Sequence, residues 1–274
     1  MDKVLETAAR LEREGVPFAL VTVLDTRTPI SARAGDKAVV TPDGTIRGWV
    51  GGGCAQRFIV RSVRAALADG KPRRIRVVPA DTVNAEAPTP EFGSHCPSGG
   101  TLELFIEPVP ARPQLVALGD SPVAAALMEL APRLGFEAIL AAVDAESAHY
   151  PDADTVLPAY DAATLRNHVR PGAWVVVATQ GKLDIIALKA ALALENAHVA
   201  FVASARKAAA LKMELKQEGQ PAAQVDAIVA PAGLPIRAAT PAEIALSVLA
   251  AVVAERRAAA PAADTKPHAA AAVG

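Results

Sequence analysis

The chain has only two cysteines in 274 residues, Cys54 and Cys96, too few for the disulfide framework of a small secreted scaffold. It also lacks an excess of either charge. Its 28 Lys and Arg stand against 29 Asp and Glu, so there is no broad positive field for general nucleic-acid binding. A bilayer span needs about 20 apolar residues, and the longest greasy stretch, 242–254, is shorter and carries Glu243. The opening segment, Met1 to Gly15, is amphipathic and dotted with charge, without the apolar core of an export signal. Together these absences predict a soluble, cytoplasmic protein with no nucleic-acid partner. The sequence also contains no G-x-S-x-G elbow, no phosphate-binding G-x-x-x-x-G-K-[ST] loop and no H-E-x-x-H pair, which removes the usual signatures of hydrolases, ATPases and metalloproteases. His149, His168, His198 and His268 have no carboxylate or thiol at metal-ligand spacing and read as structural or surface residues.

What is present is ample apolar material, 51% of the chain, over a length that exceeds one typical core, so two domains are expected. The first, residues 1–110, reads as α+β. It has an opening helix, a strand at Phe18 to Asp25, a hairpin (Lys37 to Thr41 and Thr45 to Val50 around Pro42-Asp43-Gly44), a helix from Ala55 to Ala68, and strands at Arg73 to Val78 and Thr101 to Glu107. A proline-punctuated linker (Pro108, Pro110, Pro113) follows. Residues 111–257 then alternate buried strands with helices: strands at Gln114 to Leu118, Glu137 to Val143, Ala173 to Thr179 and His198 to Ala203, and helices at Pro122 to Leu134, Leu183 to Leu194 and Arg206 to Gln217. That rhythm predicts βαβ units around a parallel sheet, a Rossmann-like α/β domain. Thr240-Pro241-Ala242-Glu243 supplies an N-cap, a first-turn proline and a capping-box glutamate for a last helix ending near Arg256-Arg257. Residues 258–274 are almost all Ala, Pro and small polar residues and read as a disordered tail.

Three features carry chemistry. Gly51-Gly52-Gly53-Cys54 falls where a strand turns into a helix. Glycines strip side chains from a turn and let a ligand reach amides at a helix N-terminus, which also favours a thiolate at Cys54 as nucleophile, sulfur carrier or metal ligand. The plainer reading is a tight turn with Cys54 as a small buried residue, and residue types alone leave both open. Cys96 lies in a long loop beside His95 and before Ser98-Gly99-Gly100, where a second phosphate-cradling nest could form. Two thiols are too few for a structural zinc site. Finally, Gly119-Asp120-Ser121-Pro122-Val123-Ala124 occupies the place of a dinucleotide fingerprint but keeps only its first glycine and terminal alanine, with Asp144 where a ribose-binding acid is expected. Asp120 and Pro122 oppose a pyrophosphate there, so NAD(P) is not expected.

In its order of pieces the chain resembles the XdhC/CoxI family of accessory proteins for molybdenum hydroxylases. The resemblance rests on Gly48-Trp49-Val50-Gly51-Gly52-Gly53-Cys54 after Gly35 to Gly44, on Cys96 to Pro108, on Ser204-Ala205-Arg206-Lys207, on Pro231-Ala232-Gly233-Leu234-Pro235-Ile236 and on Thr240 to Ser247. Such a protein is expected to bind the molybdenum-pterin cofactor, in some form as a dinucleotide, to help install its terminal sulfur ligand, and to deliver it to an apo-hydroxylase such as xanthine or carbon monoxide dehydrogenase, with a sulfur-donating desulfurase as further partner. The resemblance makes Cys54 the principal cofactor contact and molybdenum ligand, with Gly51, Gly52 and Gly53 around it and Cys96 as second thiol; Ser98, Gly99 and Gly100 of the second nest and Gly119, Ser121 and Asp144 at the fingerprint position complete the candidate cofactor-binding residues. The degraded loop at Asp120 and Pro122, Ala203 in place of a usual Gly and Gln180 in place of a common His mark a divergent branch, of the carbon monoxide dehydrogenase type. The competing readings are an NAD(P)-dependent oxidoreductase using the Rossmann half and an assembly scaffold without cofactor. A homodimer is the base-rate expectation.

Overall fold

The computed structural model describes residues 2–95 and 99–259. The chain divides into two compact units, Met1–Arg112 and Pro113–Gly274.

In the first unit, α1 (Asp2–Arg13) precedes β1 (Phe18–Arg27), the hairpin of β2 (Lys37–Val40) and β3 (Ile46–Gly48), α2 (Gly53–Asp69), β4 (Arg73–Pro79), β5 (Glu91–Ser94) and β6 (Thr101–Val109). The strands form one sheet in the order β3-β2-β1-β6-β4-β5. All pairings are antiparallel except β4 with β5. Alternation along the strands sends Val21, Val23, Ile75, Val77, Leu102, Leu104 and Ile106 to one face, where Ile59, Val63 and Ala66 of α2 bury against them. On a second cluster, Val4 and Leu11 of α1 cover Phe18 and Val39. The predicted helix at Ala55 to Ala68 is thus α2, with the i, i+4, i+8 stripe of Ile59, Val63 and Leu67 turned toward the sheet. α2 stops at Gly70, which takes φ 68° as a left-handed C-cap.

The second unit runs β7 (Gln114–Leu118), α3 (Pro122–Leu130), β8 (Glu137–Ala141), β9 (Thr155–Leu157), α4 (Ala162–His168), β10 (Trp174–Val177), α5 (Asp184–Leu192), β11 (His198–Phe201), α6 (Ala205–Gln217), α7 (Ala222–Ala227) and α8 (Pro241–Ala259). Its five strands are parallel, in the order β9-β8-β7-β10-β11. Successive strand residues enter opposite cores. Val116, Leu118, Val175 and Val177 pack with α4, α5, α6 and α7, while Leu115, Ala117, Trp174 and Val176 pack with α3 and α8. A sheet covered on both faces explains why these strands read as unbroken apolar runs. The mixed α+β unit and the Rossmann-like parallel sheet are the expected fold class.

Several details differ from expectation. β5, β9, α4 and α7 have no counterpart in the sequence reading. The helix expected to reach Leu134 ends at Leu130, and Pro132 opens a short 3₁₀ turn instead. β8 ends at Ala141, so Asp144 does not close that strand; it stands exposed at φ 56°, its N–H donating to the Pro158 carbonyl. The capping box opening α8 forms as expected: the Thr240 hydroxyl accepts from the Glu243 N–H, and the Glu243 carboxylate accepts from the N–H groups of Thr240 and Ala239. α8 continues to Ala259, and residues 260–274 of the expected tail lie outside the described residues.

Ile59 is completely buried in the α2–sheet core. Ile59→Ala is expected to lower unfolding free energy by about 2–5 kcal/mol, read from the midpoint of urea denaturation at unchanged m-value.

Candidate functional site

The turn between β3 and α2 delivers Cys54 to the second position of a 17-residue helix. Gly51 adopts φ 117°, and a Cβ there would press on Leu102 Cδ2 at 3.0 Å, so this glycine is required by backbone shape and packing. Gly52 and Gly53 are different. A Cβ built on either meets no atom within 4 Å, so their bareness leaves space open to whatever approaches the helix start. Gly52 is the N-cap residue, with no side-chain cap and no acid in the first turn of α2. The first amides of the helix therefore keep their capacity to bind an anion. Cys54 itself is exposed, against the plainer reading that made it a small buried residue.

Beside it lies a cavity of about 440 Å³ whose walls are Cys54, Gly52, Pro29, Ile30, Ser31, Ser94, Gly100 and apolar floor residues Val77 and Leu102. That volume falls in the ordinary range for small-molecule and cofactor sites, about 300–1,000 Å³. The wall at Ser31 is held by the Trp49 indole, whose Nε1 donates to the Ser31 carbonyl at 3.2 Å. Gly100 lets the chain pass against the backbone carbonyls of Pro29 and Arg27, where any side chain would collide. Its glycine thus serves the construction of the cavity wall. Gly99, at φ 68°, has open space around it. Cys96 and Ser98, named with these glycines from sequence, lie outside the described residues. The loop residues Pro29 to Ser31 and the edge-strand residue Ser94 were missed in sequence. Nothing local marks them, because the fold brings them to Cys54 from other strands.

The second unit offers a crevice at the carboxyl ends of its strands, where strand order reverses between β7 and β10, the usual ligand position in such sheets. Gly119 is needed there at φ 120°, since a Cβ would come within 2.8 Å of Thr179 Cα and 2.7 Å of the Ala178 carbonyl. Ser121 is buried, and its hydroxyl accepts from the Ala124 N–H as the N-cap of α3. Asp120 is exposed and paired with Lys182 at 3.4 Å. Deeper in, Asp184 is buried, accepts from the Thr179 hydroxyl and pairs with Lys207 at 2.5 Å. Burial, then the charges of Asp120 and Asp184, push the phenol of Tyr160 above its ordinary range. Gly119, Asp120, Tyr160, Thr179 and Lys182 line a small cavity of about 70 Å³. Asp144 does not line that space. Among the described residues no group of three or more His, Cys, Asp or Glu is placed to hold a metal ion, and no helix is long and apolar enough to cross a membrane.

An exposed cysteine at a bare helix start in one unit, and a doubly wound parallel sheet with an altered phosphate loop in the other, define a two-unit α/β protein with a thiol-bearing pocket. Residues 115–252 match the XdhC Rossmann domain and residues 11–78 match the XdhC and CoxI family; the chain belongs to that family. The Escherichia coli (strain K12) protein YqeB is 33% identical over 261 residues, covering 91% of this chain and 46% of YqeB. The chain thus spans about half the length of that relative. A Bacillus halodurans protein whose crystal structure is described as that of a xanthine dehydrogenase aligns over 94% of this chain and 96% of its own, with a TM-score of 0.47 and 19% identity.

Asp120 puts a carboxylate at the phosphate position of the crevice and engages Lys182. Calorimetric titration is expected to find NAD(P) binding weak or undetectable in the parent and stronger in Asp120→Gly, which removes the repulsion and releases the lysine. Micromolar binding by the parent, with the nucleotide at this turn, would move the oxidoreductase reading ahead.

Proposed function

We propose that the protein is an accessory factor that holds the molybdenum-pterin cofactor at the Cys54 cavity, assists its sulfuration and hands it to an apo molybdenum hydroxylase of the xanthine or carbon monoxide dehydrogenase type. Membership of the XdhC and CoxI family supports the accessory role. The observation that carries the cofactor reading is the pairing of an exposed thiol with bare glycines at the mouth of a cavity of about 440 Å³.

The residues present fit such a group. Cys54 offers a soft donor of the kind that suits a thiophilic metal or its sulfur ligand. The uncapped amides at Gly52 and Gly53 favour an anion. Val77 and Leu102 give the cavity apolar lining against which a ring system can pack, and Ser94 is a polar residue at its wall. When bound, the cofactor supplies the molybdenum and the sulfur-ligand chemistry that the client enzyme needs. The protein's own residues bind, orient and shield. The bare glycines leave room, the helix start attracts negative charge, and the wall built from Pro29 to Ser31 and fixed by Trp49 limits access of water.

The test is to purify parent and variants from a molybdenum-sufficient host and quantify bound molybdenum and pterin. Cys54→Ser should fold like the parent yet retain far less of both, since a hydroxyl is a poor soft donor; equal retention would remove Cys54 from the role. Gly52→Val separates the cradle from the fold. With no atom within 4 Å of its Cβ position and no positive φ, the variant should keep the parent's melting temperature to within a few degrees and still lose cofactor. A loss of stability without loss of cofactor would make the glycine purely structural.

A further inference from the structure

α2 carries Arg57, Arg61 and Arg64 at i, i+4 and i+7, a like-charge row that weakens an isolated helix. None of the three has a carboxylate within ion-pair distance among the described residues, and Arg64 spends its Nε on the Pro42 carbonyl. The neighbouring arginines of β4 are all neutralised: Arg73 by Asp69 at 2.5 Å, Arg74 by Glu103, and Arg76 by Glu91 at 2.5 Å. Among the arginines of α2 and β4, uncompensated charge is therefore confined to the helix. Two of its guanidiniums are not simply extended into water. Arg57 lies over the Phe58 ring at 4.4 Å and Arg61 stands 5.9 Å from the Phe92 ring centre, while Phe58 and Phe92 stack at 5.4 Å. Arg61 and Phe92 then form the lip of an open groove of about 720 Å³, with Ala65, Arg73, Pro88 and Pro90 along it.

We propose that this face, an arginine–aromatic surface on the seam between α2 and the edge strand β5, docks an acidic segment with interspersed apolar side chains from a partner protein. The charge calls for carboxylates, and the stacked rings and prolines call for apolar contacts between them; arginine and aromatic residues are the types enriched at protein interfaces. Nucleic acid fits worse, because it demands a run of free cations, whereas here Arg73, Arg74 and Arg76 are already paired and the chain's net charge is -1. The inference does not depend on which cofactor the Cys54 cavity takes.

Fluorescence anisotropy with a short fluorescein-labelled peptide alternating Glu with Leu and Phe tests it at low salt, against the same peptide with Lys for Glu. The parent should bind the acidic peptide and not the basic one. Arg57→Glu with Arg61→Glu should weaken binding on the order of tenfold or more, and the neutral pair Arg57→Gln with Arg61→Gln should do so in part. Arg61→Gln alone relieves the like-charge row, so it should match or exceed the parent's melting temperature while binding less well. That combination separates a docking role from a structural one. Failure of the parent to bind, equal affinity in parent and charge-reversed protein, or tighter binding to a thymidine oligonucleotide or to phosphatidylserine vesicles would overturn the proposal.

Discussion

The candidate site exists because α2 is pinned to its sheet. Ile59, Val63 and Ala66 are completely buried against the central strands, and that burial fixes both the height and the direction of the helix. Everything of chemical interest in the first unit follows from where the helix is forced to begin. Its first turn, bare of side-chain caps, borders one cavity with the end of β5 and the loop after β1. The thiol of Cys54 is held at the rim by the same constraint. A helix free to slide by one turn would move about 5.4 Å along its axis and carry the thiol out of the cavity.

In the second unit the corresponding constraint is a close backbone crossing. β7 passes the end of β10 so tightly that position 119 admits no side chain. A first glycine of this sort is commonly read as a nucleotide signal, yet here sheet packing alone demands it. The two following positions then serve the protein itself, Asp120 in an ion pair and Ser121 as a helix cap. The architecture of a dinucleotide domain is thus retained while the groups that would greet a phosphate are engaged elsewhere.

Much of this was legible in sequence for identifiable reasons. Runs such as Gln114–Leu118 and Trp174–Val177 are apolar at every or nearly every position because both faces of their sheet are covered. The 3.6-residue stripe of α2 and the Thr240–Glu243 capping box speak for themselves locally. β5 did not, because Glu91–Ser94 holds a single large apolar residue, Phe92, and its place is decided by pairing with β4. β9 and α4 are three and seven residues long, too short for a period to emerge. Asp144 was displaced because β8 ends two residues earlier than its apolar run, Ala142 being buried beyond the strand. The glycines before Cys54 were visible as a group, but only coordinates separate Gly51, which packing requires, from Gly52 and Gly53, which border open space. The cavity's remaining walls are contacts between distant segments, and no local pattern encodes them.

One small element links two surfaces. β5 is four residues long, lies at the sheet edge, and contributes Phe92 to the arginine groove and Ser94 to the wall beside Cys54. A short edge strand held by few hydrogen bonds belongs to the less stable part of a fold, open to local fluctuation at modest free-energy cost. Any molecule that prefers one position of β5 therefore alters the cavity wall, and thermodynamic reciprocity requires a cavity occupant with the matching preference to alter the groove by the same factor. Four residues of edge strand are enough to make occupancy of the cavity and occupancy of the groove coupled equilibria.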